Sequence, residues 1–448
     1  MNYRKVLVAL GPVLFVLSFL LPVSREVAAT VGAILWMGAW WIGEVVPLAV
    51  TALLPLVIAP LFGIASAKEI APSYAKSPIF LFLGGFILAI ALEKYDLHRY
   101  LSGKLLKVFG NSEVGVFLGV SLSAYFLSMW ISNTSATLIM IPLILSLGAG
   151  SLTTALALGA AYSASIGGMA TLIGTPPNIL YAGVLKSYGA GVSFFGWMGF
   201  AFPFSVLLEA IFILLAIFWF RLGRKRISLQ TEEVKLTPRG KVVLVLFLIT
   251  ALLWLWRSDL NFGAFKLPGW STLLHLKGVD DSTVAMTSAI LLFVMGLVSW
   301  EDTEKVPWDA LLLFGGGFAL STMIVKSKLA DLLVSSMGGI AVHPIIFVMI
   351  WALVTKVLTE VASNTSVAAM LLPIGFAFAR SVGMDATALA AVIAISASEA
   401  FMLPVATPPN MLVYSFKLVS MRDMMRIGIV MNVIAYILTV LLVYRLAP

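Results

Sequence analysis

Apolar stretches long enough to cross a bilayer follow one another from end to end of this chain, and no polar stretch between them is long enough to form a soluble domain. A spanning helix needs about 20 apolar residues, and inside hydrocarbon every backbone amide and carbonyl must be partnered within the protein. The pattern therefore points to an all-α integral membrane protein. Composition agrees. Hydrophobic residues make up 61% of the chain and charged residues 11%, the latter roughly half the share of a soluble domain.

Eleven transmembrane helices are expected, near 6–22, 27–45, 47–62, 78–95, 152–173, 194–220, 240–256, 283–299, 308–326, 386–404 and 421–444. Two more apolar stretches, about 113–148 and 343–379, are too long for one helix and are interrupted by polar triplets. Each suits a re-entrant helical hairpin that enters and returns on one side. The basic start Met1-Asn2-Tyr3-Arg4-Lys5 and the apolar run to Leu21 have the form of a signal peptide, but Val23-Ser24-Arg25-Glu26 is a poor cleavage site. A retained first helix over 1–26 is expected instead.

The net charge of +8 resides largely in short loops between spans, where it reads as a topology signal rather than a nucleic-acid surface. Arg221-Leu222-Gly223-Arg224-Lys225-Arg226, with Lys235, Arg239 and Lys241, is the strongest basic loop. Lys94, Arg99, Lys104 and Lys107 form a second, and Lys417, Arg422 and Arg426 a third. A cytoplasmic N-terminus puts all of them inside and the C-terminus outside. Glu301-Asp302-Thr303-Glu304-Lys305 is an acidic exception, which weighs little. The stretch 257–282, with Asn261-Phe262-Gly263, Pro268-Gly269-Trp270 and Asp280-Asp281, then reads as an external loop.

An internal repeat carries the most information. Leu83-Gly84-Gly85-Phe86 returns as Gly315-Gly316-Gly317-Phe318, Ser132-Asn133-Thr134-Ser135 as Ser363-Asn364-Thr365-Ser366, and Thr175-Pro176-Pro177-Asn178 as Thr407-Pro408-Pro409-Asn410. All three pairs keep the same order and nearly the same interval, about half the chain. The chain divides into a first helix at 1–26, one repeat at 27–225 and a second at 226–448. With five passes in each, an odd number, the two copies lie upside down relative to each other. That is the inverted-repeat plan of secondary transporters, whose sites sit at the repeat interface.

Neither proline of Thr175-Pro176-Pro177-Asn178 can donate a backbone hydrogen bond, and each clashes with the preceding turn, so a helix is expected to break at 174–178. Thr175 is a competent N-cap for the helix that follows. The same holds at 406–410. The freed carbonyls and amides need partners in lipid, and a polar ligand cavity would supply them. Ser132-Asn133-Thr134 and Ser363-Asn364-Thr365 suit hairpin tips, where short polar side chains and the next helix's amides point into one space. Helix N-termini carry about half a positive charge each and favour carboxylates, while exposed carbonyls suit a cation. No Arg or Lys lies within any of these motifs, so co-bound Na⁺ would offset the charge of a dianion.

Glu360 lies just before the second triplet with Lys356 one turn earlier, a spacing that suits a local ion pair. Glu399 precedes the second break and Glu44 a turn before Pro47; structural pairing or snorkelling is expected for these. His98, His275 and His343 show no metal-binding spacing, cysteine is absent, and no nucleophile–base pair or phosphate-cradling loop suggests an enzyme.

At its paired triplets and paired breaks the sequence resembles the divalent anion/sodium symporter family, the INDY-type dicarboxylate transporters, over nearly its whole length. The resemblance implies a homodimer whose protomers each have a scaffold and a moving transport domain, with elevator-type alternating access. It implies a substrate site built from Ser132, Asn133, Thr134 and Thr175 on one side and Ser363, Asn364, Thr365, Thr407 and Pro408 on the other. It implies one sodium site at Ser128, Ser132, Asn133 and Gly174, and a second at Thr359, Ala362, Asn364 and Ala406. Some members have Ser where this chain has Thr175, which adds a methyl group to the pocket. The expected activity is Na⁺-coupled symport of C4-dicarboxylates (succinate, malate, fumarate) in a bacterial inner membrane, with Na⁺ as coupling ion, lipid as surroundings and no organic cofactor. A sodium-independent exchanger, a citrate or sulfate carrier of the same fold, and an anion channel are the alternatives.

Overall fold

The structure, a computed structural model, describes residues 3–147, 150–227, 234–261, 266–276, 278–329, 332 and 343–447. Met1, Asn2, the last residue of the stretch 113–148, and Phe262-Gly263 of the expected external loop lie outside the described residues. In the first half the helices are α1 Tyr3–Leu17, α2 Arg25–Gly43, α3 Leu48–Ala52, α4 Leu54–Leu61, α5 Ala67–Ile70, α6 Ser77–Lys94, α7 Leu97–Phe109, α8 Glu113–Ser128, α9 Asn133–Ser146, α10 Ser151–Met169, α11 Pro176–Ser187 and α12 Phe194–Phe220. In the second half they are α13 Pro238–Leu255, α14 Trp270–Leu273, α15 Asp281–Val294, α16 Trp308–Ser327, α17 Pro344–Val361, α18 Asn364–Ser381, α19 Ala386–Ser398, α20 Pro408–Ser415 and α21 Met421–Leu438. Among the described residues the strands are two residues each, Leu260–Asn261 and Lys266–Leu267.

The chain is an all-α, multi-pass membrane protein. Seven helical stretches among the described residues are long and apolar enough to cross a membrane, and shorter apolar helices accompany them. The apolar run 47–62 is not one helix: Pro55 has no N–H to give the Thr51 carbonyl, and the run divides at Leu53 into α3 and α4. The basic loop expected around 94–107 is largely helix. Arg99, Lys104 and Lys107 lie on the amphipathic α7, while Lys94 ends α6 and pairs with Asp302 at 2.6 Å.

Glycines set how closely the helices cross, as is general in membranes, where close backbone approach replaces a hydrophobic drive between helices. α6 packs along α15, and a Cβ on Gly84 would lie 2.6 Å from the carbonyl carbon of Ala285. At the matching place in the second half, a Cβ on Gly316 would lie 2.6 Å from Ala52, where α16 crosses α3.

The ion pair expected between Lys356 and Glu360 does not form. Lys356 Nζ lies 2.9 Å from Glu399 Oε2 and donates to the Glu399 carbonyl, and Thr439 donates to Glu399 Oε1. Glu360 instead accepts the backbone amides of Phe401, Met402 and Leu403 and the amide of Asn432. Both residues project from one side of α17 onto the segment after α19, where the helix has ended and its amides lack carbonyl partners. A carboxylate satisfies several such amides at once, and this leaves the ammonium to Glu399. Side-chain exposures of 6% and 0% for Lys356 and Glu399 exclude snorkelling for either.

Two stability outcomes follow. Gly84→Val overpacks the α6–α15 crossing and costs about 1–3 kcal/mol, whereas Gly103→Val, with no neighbouring atom within 4 Å, leaves thermal unfolding in detergent unchanged. Lys356→Met strands a buried carboxylate and costs about 3–5 kcal/mol, and the Lys356→Met/Glu399→Leu double variant recovers most of that loss in the same measurement.

Candidate functional site

The two breaks share one local solution. α10 ends at Met169 and α11 starts at Pro176 with Thr175 as an extended N-cap. The carboxamide of Asn178 then reaches back over the gap and donates to the carbonyls of Gly168 (3.0 Å) and Thr171 (2.7 Å). In the second half α19 ends at Ser398, α20 starts at Pro408, and Asn410 donates to the carbonyls of Ala400 and Leu403, each at 3.2 Å. The Asn of each motif therefore supplies the donors that the prolines removed, so each break persists without water. The sequence marks the prolines as breaks, but nothing local to Asn178 or Asn410 shows which carbonyls they reach.

The polar triplets sit where one helix stops and the next starts, with α9 following α8 and α18 following α17. Ser132 caps α9 by accepting the Ser135 amide, and Thr407 caps α20 by accepting the Asn410 amide. Thr175 and Ser363 hold the cap positions of α11 and α18 without a cap hydrogen bond. Behind the triplets the halves match again: Ser128 donates to Asn133 Oδ1 at 2.5 Å, and Thr359 Oγ1 lies 2.7 Å from both Asn364 Oδ1 and the Ala397 carbonyl. A single hydroxyl proton serves only one of those two acceptors, so three oxygens converge there.

All four motifs open on one cavity of about 540 Å³, lined by Ser132, Asn133, Thr134, Gly174, Thr175, Ser363, Asn364, Thr365, Ala406, Thr407 and Pro408. Ser128, Thr359 and Ala362 do not line it and stand one layer behind. Among the described residues, no hydrogen bond uses the amide nitrogens of Asn133 and Asn364 or the hydroxyls of Thr134, Thr365, Thr175 and Ser363. Four helix N-termini (α9, α11, α18 and α20) thus meet with unspent neutral donors around them, and neither Lys nor Arg contributes to the wall. Chemically this is an anion receptor of dipoles and neutral hydrogen-bond donors.

The remaining wall was not anticipated. Phe82, Gly85, Phe86 and Ala89 of α6, with Trp130, Pro307 and Ala310, make it largely apolar, and Glu44, in a left-handed conformation at the end of α2, adds an exposed carboxylate. The repeated Gly-Gly-Phe motif was the available signal, since Gly85 and Phe86 belong to it.

A family model described as a citrate transporter matches residues 38–396. The sodium-dependent dicarboxylate transporter SdcS of Staphylococcus saprophyticus is 35% identical, with 98% of this chain and 90% of the relative covered. The protein of the same description from Staphylococcus aureus is 34% identical over the same shares. Among solved structures, the YdaH transporter of Alcanivorax borkumensis aligns with a TM-score of 0.62 at 15% identity over 88% of each chain. MtrF of Neisseria gonorrhoeae aligns with a TM-score of 0.56 at 12% identity over 87% of this chain and 84% of its own; at such identities the likeness is one of fold. The chain is a transporter, not an enzyme, and belongs to the divalent anion/sodium symporter family that includes the sodium-dependent dicarboxylate transporters.

Proposed function

We propose that this protein carries C4-dicarboxylates such as succinate, malate and fumarate into a bacterial cell together with Na⁺. One observation carries the reading: both Ser-Asn-Thr triplets and the Thr-Pro starts of both breaks line a single cavity, with the Asn133 and Asn364 amides and the Thr134, Thr365, Thr175 and Ser363 hydroxyls unspent among the described residues. Two symmetry-related groups of donors suit two carboxylates held apart by a short carbon chain. Ser132, Asn133, Thr134 and Thr175 take one carboxylate, and Ser363, Asn364, Thr365, Thr407 and Pro408 the other. Helix dipoles leave much of a dianion's charge uncompensated, and Glu44 adds to the deficit, so cations must bind alongside. The oxygens of Ser128, Ser132, Asn133 and Gly174 form one Na⁺ site. Those of Thr359, Ala362, Asn364 and Ala406 form the other, hard oxygen ligands being the donors such an ion takes.

The chain crosses the membrane eleven times and carries two re-entrant hairpins, with an N-terminal helix over 1–26 and inverted repeats over 27–225 and 226–448. Its N-terminus is cytoplasmic and its C-terminus external. Two copies form a homodimer in which the hairpins and broken helices of each protomer move past a fixed scaffold. The family model's description favours citrate as the second substrate reading. A third carboxylate would have to sit against the apolar wall of Phe82 and Phe86.

Succinate uptake by purified protein in proteoliposomes tests the reading. Accumulation is expected only with an inward Na⁺ gradient. Uptake that ignores Na⁺ but needs internal dicarboxylate would make the protein an exchanger, and preferential uptake of citrate would replace the substrate. Asn133→Ala and Asn364→Ala are each expected to abolish uptake while thermal unfolding stays near that of the parent; normal uptake by either variant would remove the site assignment.

A further inference from the structure

A second polar cluster lies at the opposite end of the protein from the mouth of the cavity. α6 and α15 run parallel: Ser77 donates to Asp280 where both start, and Lys94 meets Asp302 where both have ended. The cavity is lined from the middle of α6 onward, and by Glu44, Pro307 and Ala310 at the Asp302 end, so its mouth is there. At the Asp280 end, polar contacts join α11 and the start of α12 to α6 and α15. Lys186 Nζ lies 3.2 Å from Asp280 Oδ2, Lys76 donates to Ser187 at 2.6 Å, and the Phe194 amide donates to Asp281 Oδ2 at 2.8 Å. Burial pulls the Asp280 carboxyl up, but hydrogen bonds from Ser282, Ser77 and Lys186 outweigh it and hold the group well below the usual carboxylate range. The anion is therefore present throughout the physiological range.

α11 begins in the cavity at Thr175 and ends at this cluster, about 18 Å away for its length. Any displacement of the cavity-lining half-helices relative to α6 and α15 must separate Lys186 from Asp280. The join is also loosely filled: a second cavity of about 330 Å³ lies around it, lined by Leu81, Leu172, Ala182, Lys186 and Arg257 among others.

The repeat places charges near the corresponding points without copying the pair. Ser77, which donates to Asp280, corresponds to Asp309; Lys186 corresponds to Leu418, beside Lys417; Asp280 itself corresponds to the cavity-lining Leu48. The Leu418 carbonyl accepts from Thr154 at the start of α10. Asp309 begins α16 beside the mouth-lining Pro307 and Ala310. Among the described residues neither Lys417 nor Asp309 is in an ion pair.

We infer that Lys186 and Asp280 form a clasp that closes the end opposite the cavity mouth, and that it exchanges for a Lys417–Asp309 clasp when the cavity closes at its present mouth. This rests on the alternating-access reading above. Lys186, Asp280, Lys417 and Asp309 are thus positioning residues for transport that touch neither substrate nor Na⁺.

The chain has no cysteine, so thiols can be introduced singly. Met411→Cys, on the cavity wall, reports access of an impermeant maleimide added to the mouth side of oriented membrane vesicles. Added Lys186→Gln or Asp280→Asn is expected to lower its labelling about two- to fivefold, the effect of losing one partly exposed ion pair. The Lys186→Asp/Asp280→Lys exchange restores the labelling, which a merely structural role would not do. Bridging the cysteines of a Lys186→Cys/Asp280→Cys variant with a bifunctional thiol reagent stops uptake and keeps the reporter reactive. Bridging in an Asp309→Cys/Lys417→Cys variant needs succinate and Na⁺, and shields the reporter. Labelling that responds to succinate and Na⁺ but not to the clasp variants overturns the clasp alone, as does uptake that continues after complete Lys186→Cys/Asp280→Cys bridging. If the reporter never responds to succinate and Na⁺, alternating access itself fails and the clasp with it.

Discussion

The site depends on one constraint: a backbone group freed inside the membrane must find a partner within the protein. Two Pro-Pro pairs interrupt helices, and each interruption would leave carbonyls stranded. Asn178 and Asn410 supply donors to the carbonyls. The proline-led starts of α11 and α20, and the starts that follow the Ser-Asn-Thr triplets, border a common cavity with their positive dipole ends. The same requirement that makes a broken helix costly makes its exposed ends available, since the ends that the chain does not satisfy are those a ligand can.

The two halves meet that requirement with different chemistry at corresponding positions. In the first half, Gly167 lets the Tyr125 carbonyl approach so closely that a Cβ would lie 2.1 Å from it, and Thr171 donates to the Met129 carbonyl at 2.6 Å. In the second half the matching residues are Lys356 with Glu399, which form an ion pair, and Glu360 with Leu403, joined by a carboxylate–amide bond. One half holds the helix before its triplet to its break by close neutral packing, the other by buried charge. An ion pair without water depends on both partners being present, so the second half is the more exposed to substitution.

Much of this was legible in the sequence because its signals are local. Proline forbids a donor wherever it stands, apolar runs of spanning length admit few folds, and a repeat in register needs no coordinates to be seen. Helices accordingly restart at Asn133, Asn364, Pro176 and Pro408. Partnerships across long stretches of chain were less legible. The i to i+4 spacing of Lys356 and Glu360 suits a pair, but the segment that takes both residues, 399–403, is adjacent only in space. In the stretch after Lys94 the charges stand out along the sequence, while the apolar stripe by which α7 packs on α8 shows only in the fold.

By itself the sequence determined that this chain lies in a membrane, that three short motifs recur in the same order in its two halves, and that prolines interrupt helices at two matched places. Each of these follows from what a residue can do with its own backbone and its near neighbours. Tertiary structure alone decided that the four motifs share one cavity, that Asn178 and Asn410 close the breaks, and that Lys186 faces Asp280 at the far end. Those outcomes depend on which helices pack together and how closely their glycines let them approach. A linear pattern cannot specify that, because in lipid the association of helices is settled by shape and hydrogen bonding between distant segments rather than by the apolarity they all share.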